Sequence, residues 1–194
     1  MKVALIKVSE KNAFKEYKKY MAAPPQSIFS VAACTPEEIE FELVDETVDM
    51  KINYRTKADI IALFFSTDSA PRAYEIAQKF KEKGKTVVFG GLHPSFMPEE
   101  AIKYGDAVMI GEQEGIWEEL IRDYQNGNLK RFYERSEPFD LNEMKPFPEK
   151  VIKKGVKIYG YWNIIVSRGC NLGVHFAPFR GFSKVKYDTG LLNT

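Results

Sequence analysis

The sequence predicts an α/β protein with a doubly wound parallel sheet of five strands and a C-terminal extension. Two observations predict this class. Short apolar runs alternate with amphipathic helical patterns up to residue 127. The third run, residues 58–65, has almost no polar residues in alternation, which is typical of a central strand covered by helices on both faces. At 194 residues, the chain is also long enough to bury a substantial core.

Five short apolar runs predict the strands. They recur between helical patterns, as expected for parallel strands joined by crossover helices. In order, the predicted strands cover residues 2–8, 40–45, 58–65, 85–90 and 106–110.

An amphipathic helix is predicted between the third and fourth strands. Its apolar residues recur at i, i+3, i+4 and i+7, while charged residues fall elsewhere. These apolar residues are Ala73, Ile76, Ala77 and Phe80. Gly84 follows them and is predicted to end the segment.

Two more helices are predicted around the fifth strand. Pro98–Ala101 begins a short helix, with proline in the first turn and carboxylates where the helix dipole favours them. After the fifth strand, one apolar face ends at Asn126 and Gly127. It consists of Ile116, Trp117, Leu120, Ile121 and Tyr124. Because helices follow strands repeatedly, we expect a flavodoxin-like sheet.

Beyond residue 127 the alternation of strand and helix patterns stops. Residues 128–162 contain Pro138, Pro146 and Pro148 among charged residues, so this segment is predicted to be a surface linker. A further apolar strand is predicted at 163–167 and a short one around 184–187. We therefore divide the chain into a domain at 1–127, a linker at 128–162 and a last segment at 163–194.

The loops after the strands are where binding residues are expected. In an open parallel sheet, ligands bind beyond the carboxyl ends of the strands, near the point where the strand order reverses. Ser66 and Thr67 follow the third strand, and their hydroxyls are suited to bonding the amides or phosphate of a cofactor. Alternatively, Ser66 or Asp68 caps the next helix.

The loops after the fourth and fifth strands offer glycines and polar groups. Gly90 and Gly91 let the backbone approach a ligand or form an ordinary turn. His93 lacks other ligands at metal-binding spacing, so a hydrogen-bonded loop histidine is the alternative to a metal ligand. Gly111 places the Glu112 carboxylate either against a ligand or against the dipole of the next helix.

A cysteine loop near the C-terminus lacks two of the thiolates that its pattern requires. Cys170 occupies the first position of a CxxxCxxC pattern, but Val174 and Ala177 occupy the second and third. Three thiolates in that pattern ligate three irons of a four-iron four-sulfur cluster. Since hydrocarbon side chains have no lone pair to donate, Cys170 alone is predicted to remain, and the loop is predicted not to hold the cluster.

These residues carry a resemblance to a known family. Arg168, Gly169 and Cys170 after a β-branched run, followed by His-Phe-x-Pro, resemble the start of the radical S-adenosylmethionine domain in cobalamin-dependent radical enzymes. Most of residues 1–180 resembles that start together with the cobalamin-binding domain that precedes it. Supporting segments are residues 23–28 (APPQSI), 42–46 (ELVDE), 89–94 (FGGLHP) and 110–114 (IGEQE).

The resemblance implies cobalamin (vitamin B12) as the cofactor and a small-molecule corrinoid as the partner. It implies that the cofactor lies against Ser66, Thr67, Gly90, Gly91, His93, Gly111 and Glu112. Many cobalamin domains present a histidine to cobalt from the loop after the first strand. Residues 9–14 contain no histidine, so any cobalamin is expected to be held without that ligand.

The resemblance also implies limits on the chemistry of this chain. The family uses an iron-sulfur cluster and S-adenosylmethionine, and the substituted loop predicts that neither is used here. The chain ends where the first strand of a radical barrel would end, so we expect it to be shortened and not catalytic by itself. The alternative is a ligand-free flavodoxin-like module that pairs with itself or another protein through its C-terminal tail. A flavin or nucleotide binder is disfavoured because no phosphate-binding glycine loop follows the first strand.

Composition excludes other classes. The 28 basic and 27 acidic residues give a formal charge of +1, so the chain as a whole does not attract nucleic acid. The N-terminus enters a strand directly, without an apolar span or a cleavage site, so no membrane insertion is expected. With two cysteines, a cytoplasmic protein is expected.

Overall fold

The computed structural model describes residues 1–9, 22–137 and 139–163. Within them the chain forms one parallel sheet of six strands in the order β2-β1-β3-β4-β5-β6. The strands are β1 (Lys2–Lys7), β2 (Glu40–Asp45), β3 (Ile60–Phe64), β4 (Thr86–Gly90), β5 (Ala107–Ile110) and β6 (Phe132–Glu134).

Helices connect the strands and cover both faces of the sheet. They are α1 (Gln26–Ala33), α2 (Ala70–Lys81), α3 (Leu92–Phe96), α4 (Pro98–Ala101), α5 (Trp117–Gln125) and α6 (Glu149–Val156). Three short 3₁₀ turns lie at Glu46–Val48, Thr67–Ser69 and Leu141–Glu143. The predicted fold class, a doubly wound flavodoxin-like α/β sheet, is confirmed.

The order of the strands reverses at β1. The chain passes from β1 to β2 on one side, then returns to place β3 on the other side of β1. Open α/β sheets bind ligands beyond the carboxyl ends of the strands at such a reversal, which here falls between β1 and β3.

Two apolar layers enclose the sheet. One layer packs α1 and α5 against alternate residues of β1, such as Val3 and Leu5. The other packs α2 against the intervening residues, Ala4 and Ile6. All five residues of β3 are buried, which confirms the prediction of a central strand.

The strongly periodic helices were predicted correctly. In α2, the four predicted core residues are all buried, and Gly84 follows the helix with φ +69°. In α5, Trp117, Leu120 and Ile121 are buried, and Gly127 follows with φ +72°.

The prediction of five strands was wrong by one. A sixth strand, β6, pairs with β5 through Val108↔Phe132 and Ile110↔Glu134. Its three residues are too few to produce an alternating pattern, so only the pairing with β5 reveals it. The short helix α3 was also missed, because its five residues include histidine and proline.

The predicted linker packs back onto the domain. Its helix α6 follows Pro148, and the ring of Phe29 in α1 lies 5.6 Å from Phe147, 6.2 Å from Tyr159 and 6.0 Å from Trp162 between centroids. Aromatic pairs at such distances stabilise a packed contact. The division into domain, linker and last segment stays a prediction. The predicted strands at 163–167 and 184–187 lie almost entirely outside the described residues.

Among the helices of the described ranges, none combines the length and the hydropathy that a bilayer crossing requires.

Candidate functional site

Four adjacent strands, β1, β3, β4 and β5, end at the carboxyl edge of the sheet. Lys7 at the end of β1 lies opposite Phe64 of β3, and Phe64 lies opposite Gly90 of β4. Because the strands are parallel and in this register, the loops after β1, β3 and β4 leave the sheet side by side. The loop after β5 follows next in the sheet order. The structure thus brings together most of the residues that the sequence nominated.

Gly90 and Gly91 allow a close approach between the ends of β3 and β4. A Cβ atom on Gly90 would lie 2.9 Å from the ring of Phe64. At Gly91, φ is +98° and ψ is −171°, a conformation that is essentially restricted to glycine. A Cβ atom there would lie 2.8 Å from the carbonyl oxygen of Phe65. The fold itself therefore requires both glycines, whatever their part in ligand binding.

Gly111 is different, because its surroundings are open. Its φ is +83°, but a Cβ atom built on it would meet no other atom within 4 Å. The conformation alone favours glycine here. The space beside Gly111 at the carboxyl edge can admit a ligand against the backbone.

Ser95 links the two glycine loops, and the sequence analysis missed it. Its hydroxyl donates a hydrogen bond to the carbonyl oxygen of Gly91 at 2.8 Å and accepts one from the amide of Gly111 at 3.0 Å. Ser95 lies buried in α3. One side chain therefore sets the separation of the loops after β4 and β5. No local pattern could have identified this residue, since its role depends on the path of α3.

His93 is a buried, hydrogen-bonded residue with 5% of its surface exposed. Its Nε2 lies 3.0 Å from the Tyr74 hydroxyl and its Nδ1 lies 3.2 Å from the Thr67 hydroxyl. The Tyr74 hydroxyl also donates to Glu100 at 3.0 Å, so it accepts from Nε2–H of His93. Burial, together with the bond to Glu100, raises the pKa of Tyr74. This geometry favours the hydrogen-bonded histidine over a metal ligand.

The loop after β3 carries hydroxyls at the carboxyl edge of the sheet. Ser66 is half-buried and donates a hydrogen bond to Asp68, while Thr67 and Asp68 are exposed. Helix α2 begins after Ser69, and no side chain of the described residues caps it by a hydrogen bond. The capping alternative for Ser66 and Asp68 is therefore not observed.

Glu112 does not lie at a helix N-terminus. Helix α5 begins only at Trp117, with Glu118 and Glu119 in its first turn. Instead, Glu112 Oε2 accepts a hydrogen bond from the amide of Phe139 at 2.9 Å. The dipole interpretation of Glu112 was wrong, because the chain makes a turn before the helix starts. The Glu112 carboxylate thus holds the segment around Phe139 against the carboxyl edge of the sheet.

Charged residues lie at the carboxyl ends of β1 and β2 and in the loop after β3. Lys7 is half-buried at the end of β1, on the same face as Val3 and Leu5. Burial lowers the pKa of its ammonium group, while the charges of Asp45 and Asp68 act in the opposite direction. Lys7 is a second residue that the sequence analysis missed, although a lysine that interrupts an apolar strand was a visible signal.

Some predicted residues cannot be placed. Cys170, Val174 and Ala177 lie outside the described residues, as does most of the loop at 9–14. Within the described ranges, no three His, Cys, Asp or Glu side chains form a group that could hold a metal ion.

Comparison with known proteins identifies relatives. The model of the B12 binding domain matches residues 21–121. Bacteriochlorophyllide d C-8(2)-methyltransferase of Chlorobaculum tepidum is 36% identical over 162 residues, which is 81% of this chain and 36% of the relative. Bacteriochlorophyllide d C-12(1)-methyltransferase of the same organism is 30% identical over 156 residues, which is 78% of this chain and 34% of the relative. The chain thus spans about a third of the length of these relatives.

Proposed function

This chain belongs to the B12-binding domain family, and from that premise we propose that it binds a corrinoid at the carboxyl edge of its sheet. The observation that carries the proposal is the pair of glycine turns at Gly91 and Gly111, held together by Ser95 beside open space. Backbone without side chains lets a large planar ligand approach closely.

The residues at this edge fit a corrinoid. Such a ligand carries amide side chains and a nucleotide tail, which need hydrogen-bond partners and a slender crevice. Ser66 and Thr67 supply hydroxyls at this edge, and Gly111 leaves space beside its backbone. We propose that Gly90 and Glu112 shape the same edge, and that His93 acts by orienting Thr67.

We propose that the corrinoid is held without a ligand from His93 to cobalt. Both ring nitrogens of His93 are engaged with Tyr74 and Thr67. Affinity then comes from burying the tail and from hydrogen bonds to the edge of the ring. When bound, the cobalt of a corrinoid supplies a carrier for a methyl group.

We further propose that the chain is the cofactor domain of a methyltransferase of the cobalamin-dependent radical S-adenosylmethionine type. Two observations support this. Both relatives are named as methyltransferases, and each aligns with most of this chain. In addition, residues 167–178 resemble the cluster loop of that type of enzyme.

Within that proposal, the loop around Cys170 does not assemble a four-iron cluster. Anaerobic reconstitution of the chain with iron and sulfide is expected to leave no bound iron after desalting, because Val174 and Ala177 cannot ligate it. The matched variant Val174→Cys/Ala177→Cys restores all three thiolates and is expected to retain iron. Stable iron and a broad visible absorbance in the unmodified chain would contradict the proposal.

Corrinoid binding is tested with two matched glycine variants. Gly111 and Gly127 both have positive φ, and a Cβ atom on either meets nothing within 4 Å. We expect hydroxocobalamin to elute with the unmodified chain in gel filtration. Gly111→Phe fills the proposed ligand space and is expected to weaken binding by about 10-fold or more, whereas Gly127→Phe leaves it unchanged.

The outcomes separate the proposal from the alternative of a ligand-free interaction module. Both variants introduce the same side chain at a positive φ, so their losses of stability are expected to be similar. Elution of the unmodified chain without the corrinoid would contradict corrinoid binding. Equal weakening by the two variants would contradict the placement of the ligand beside Gly111.

A further inference from the structure

A cavity lies between β2, the first strand in the sheet order, and helix α6. Its volume is about 280 Å³, close to the lower end of the range for small-molecule sites, which is roughly 300–1,000 Å³. Phe41, Leu43 and Met50 line it from the side of β2, while Val151 and Ile158 line it from the side of α6. None of the proposed corrinoid-binding residues lines this cavity. A compound that fills it touches the sheet and the α6 segment at once.

The wall of the cavity is mostly apolar. Phe41 and Leu43 pack against the core layer that contains α1, and Phe29 of α1 also lines the cavity. Tyr159 adds an aromatic ring to the wall, and its hydroxyl already donates to Asp45 at 2.9 Å. The interior therefore suits a hydrocarbon or aromatic body, whose burial removes apolar surface from water.

Two lysines of α6 also line the cavity. Lys150 and Lys154 are four residues apart, so they lie on the same side of the helix. The Lys150 ammonium lies 3.8 Å from the centre of the Phe41 ring, and the Lys154 ammonium lies 3.5 Å from the carbonyl oxygen of Leu43. Both positive charges are thus placed beside the apolar wall. Among the described residues, no acidic side chain forms an ion pair with either lysine.

The acidic side chains around these lysines already have partners. Glu42 is the one acidic residue in the described lining, and its side chain alternates to the opposite face of the sheet from its two neighbours in β2. There it pairs with Lys2 at 2.9 Å and accepts the Thr56 hydroxyl. On α6, Glu149 pairs with Lys153 at 2.7 Å. The cavity therefore carries an excess of positive charge that an anionic ligand can neutralise.

We propose that this cavity binds a small carboxylate with an apolar body, whose carboxylate pairs with the ammonium groups of Lys150 and Lys154. An ammonium donates charge-assisted hydrogen bonds to a carboxylate, and the apolar wall buries the rest of the molecule. Because the ligand contacts both β2 and α6, its binding stabilises the docking of α6 on the sheet. This site is separate from the proposed corrinoid site and does not depend on it.

Equilibrium dialysis of the full chain with octanoate tests the chemical class of the ligand. We expect octanoate to bind. Acetate has the carboxylate but lacks the apolar body, and we expect no measurable binding. Octylamine keeps the hydrocarbon chain but reverses the charge, and it is expected to bind at least about 10-fold more weakly than octanoate.

Two matched double variants test the role of the lysines. Lys150→Met/Lys154→Met keeps the apolar stems and removes both charges, so octanoate affinity is expected to fall by about 10-fold or more. Lys153→Met/Lys157→Met removes the same charge from exposed positions of the same segment that do not line the cavity, and affinity is expected to stay unchanged. Melting temperatures establish that both variants fold. Hydroxocobalamin affinity is expected to be the same in both.

Hydrogen–deuterium exchange of the unmodified chain locates octanoate without any variant. We expect slower exchange at residues 41–43 and 151–159 when octanoate is bound. Protection confined to other parts of the chain would overturn the inference. So would a lack of octanoate binding, equal affinity for octanoate and octylamine, or equal weakening by the two double variants. Binding of hydroxocobalamin is measured separately, so each of these results leaves the proposed function standing.

Discussion

Gly91→Ala is expected to destabilise the fold by about 3 kcal/mol or more and to abolish corrinoid binding. Two effects add at this position. The backbone conformation, with φ +98° and ψ −171°, is strained for any residue with a side chain. In addition, the new methyl group would lie 2.8 Å from the carbonyl oxygen of Phe65, so the ends of β3 and β4 must separate.

The loss of binding follows from the contacts of Gly91. Its carbonyl accepts the hydroxyl of Ser95, which in turn holds the amide of Gly111. Displacing Gly91 therefore moves the loop after β5 as well. Urea unfolding and a visible titration with hydroxocobalamin measure the two effects on the same preparation.

Gly84→Ala is the matched control for the strain. Gly84 has φ +69°, and a Cβ atom there meets nothing within 4 Å. We expect a loss of about 1 kcal/mol and unchanged corrinoid affinity. Similar losses of stability in Gly84→Ala and Gly91→Ala would show that the close approach to β3 contributes nothing.

Trp117→Ala is expected to reduce the free energy of unfolding by about 3–5 kcal/mol. Trp117 begins α5 with none of its surface exposed, and it packs in the layer that contains α1. Its indole Nε1 donates to the hydroxyl of Thr35 at 2.9 Å, just beyond α1. The substitution thus leaves a large cavity and removes a buried hydrogen bond at once.

The other tryptophan of the chain provides the comparison. Trp162 is 37% exposed and lies at the margin of the layer, against the ring of Phe29 at 6.0 Å between centroids and against Gly155 of α6. Trp162→Ala is expected to cost about 1 kcal/mol. If the two variants unfold at the same urea concentration, the packing of α5 against α1 is not what the structure indicates.

The sequence predicted those parts of the fold that have long, regular patterns. Helix α2 repeats its apolar residues over three turns, and β3 is apolar throughout. In both elements, the residues that the pattern assigns to the core are buried in the structure. The strand β6 has three residues and α3 has five, which is too short for a period to show. Helix α6 lies among prolines, and its docking on Phe29 depends on contacts distant in sequence.

The site was predictable only where a residue type reveals its own role. Gly91 and Gly111 stood out because glycine at a strand end signals an unusual backbone or a close approach. Ser95 gave no such signal, and Glu112 was predicted as a site residue without any indication of its partner. Ser95 acts because α3 places its hydroxyl between two loops, and Glu112 binds the amide of Phe139, which is 27 residues away in sequence.

Hydrogen–deuterium exchange with and without hydroxocobalamin tests the central claim most directly, because it locates the ligand on the fold. We expect slower exchange of backbone amides in the loops at 65–68, 90–95 and 110–113 when the corrinoid is bound. The opposite edge of the sheet provides the reference, where Asn53, Arg55 and Asp59 line an open depression of about 630 Å³. Exchange there is expected to stay unchanged. Protection at that depression, or no protection at the three loops, would contradict a corrinoid site at the carboxyl edge.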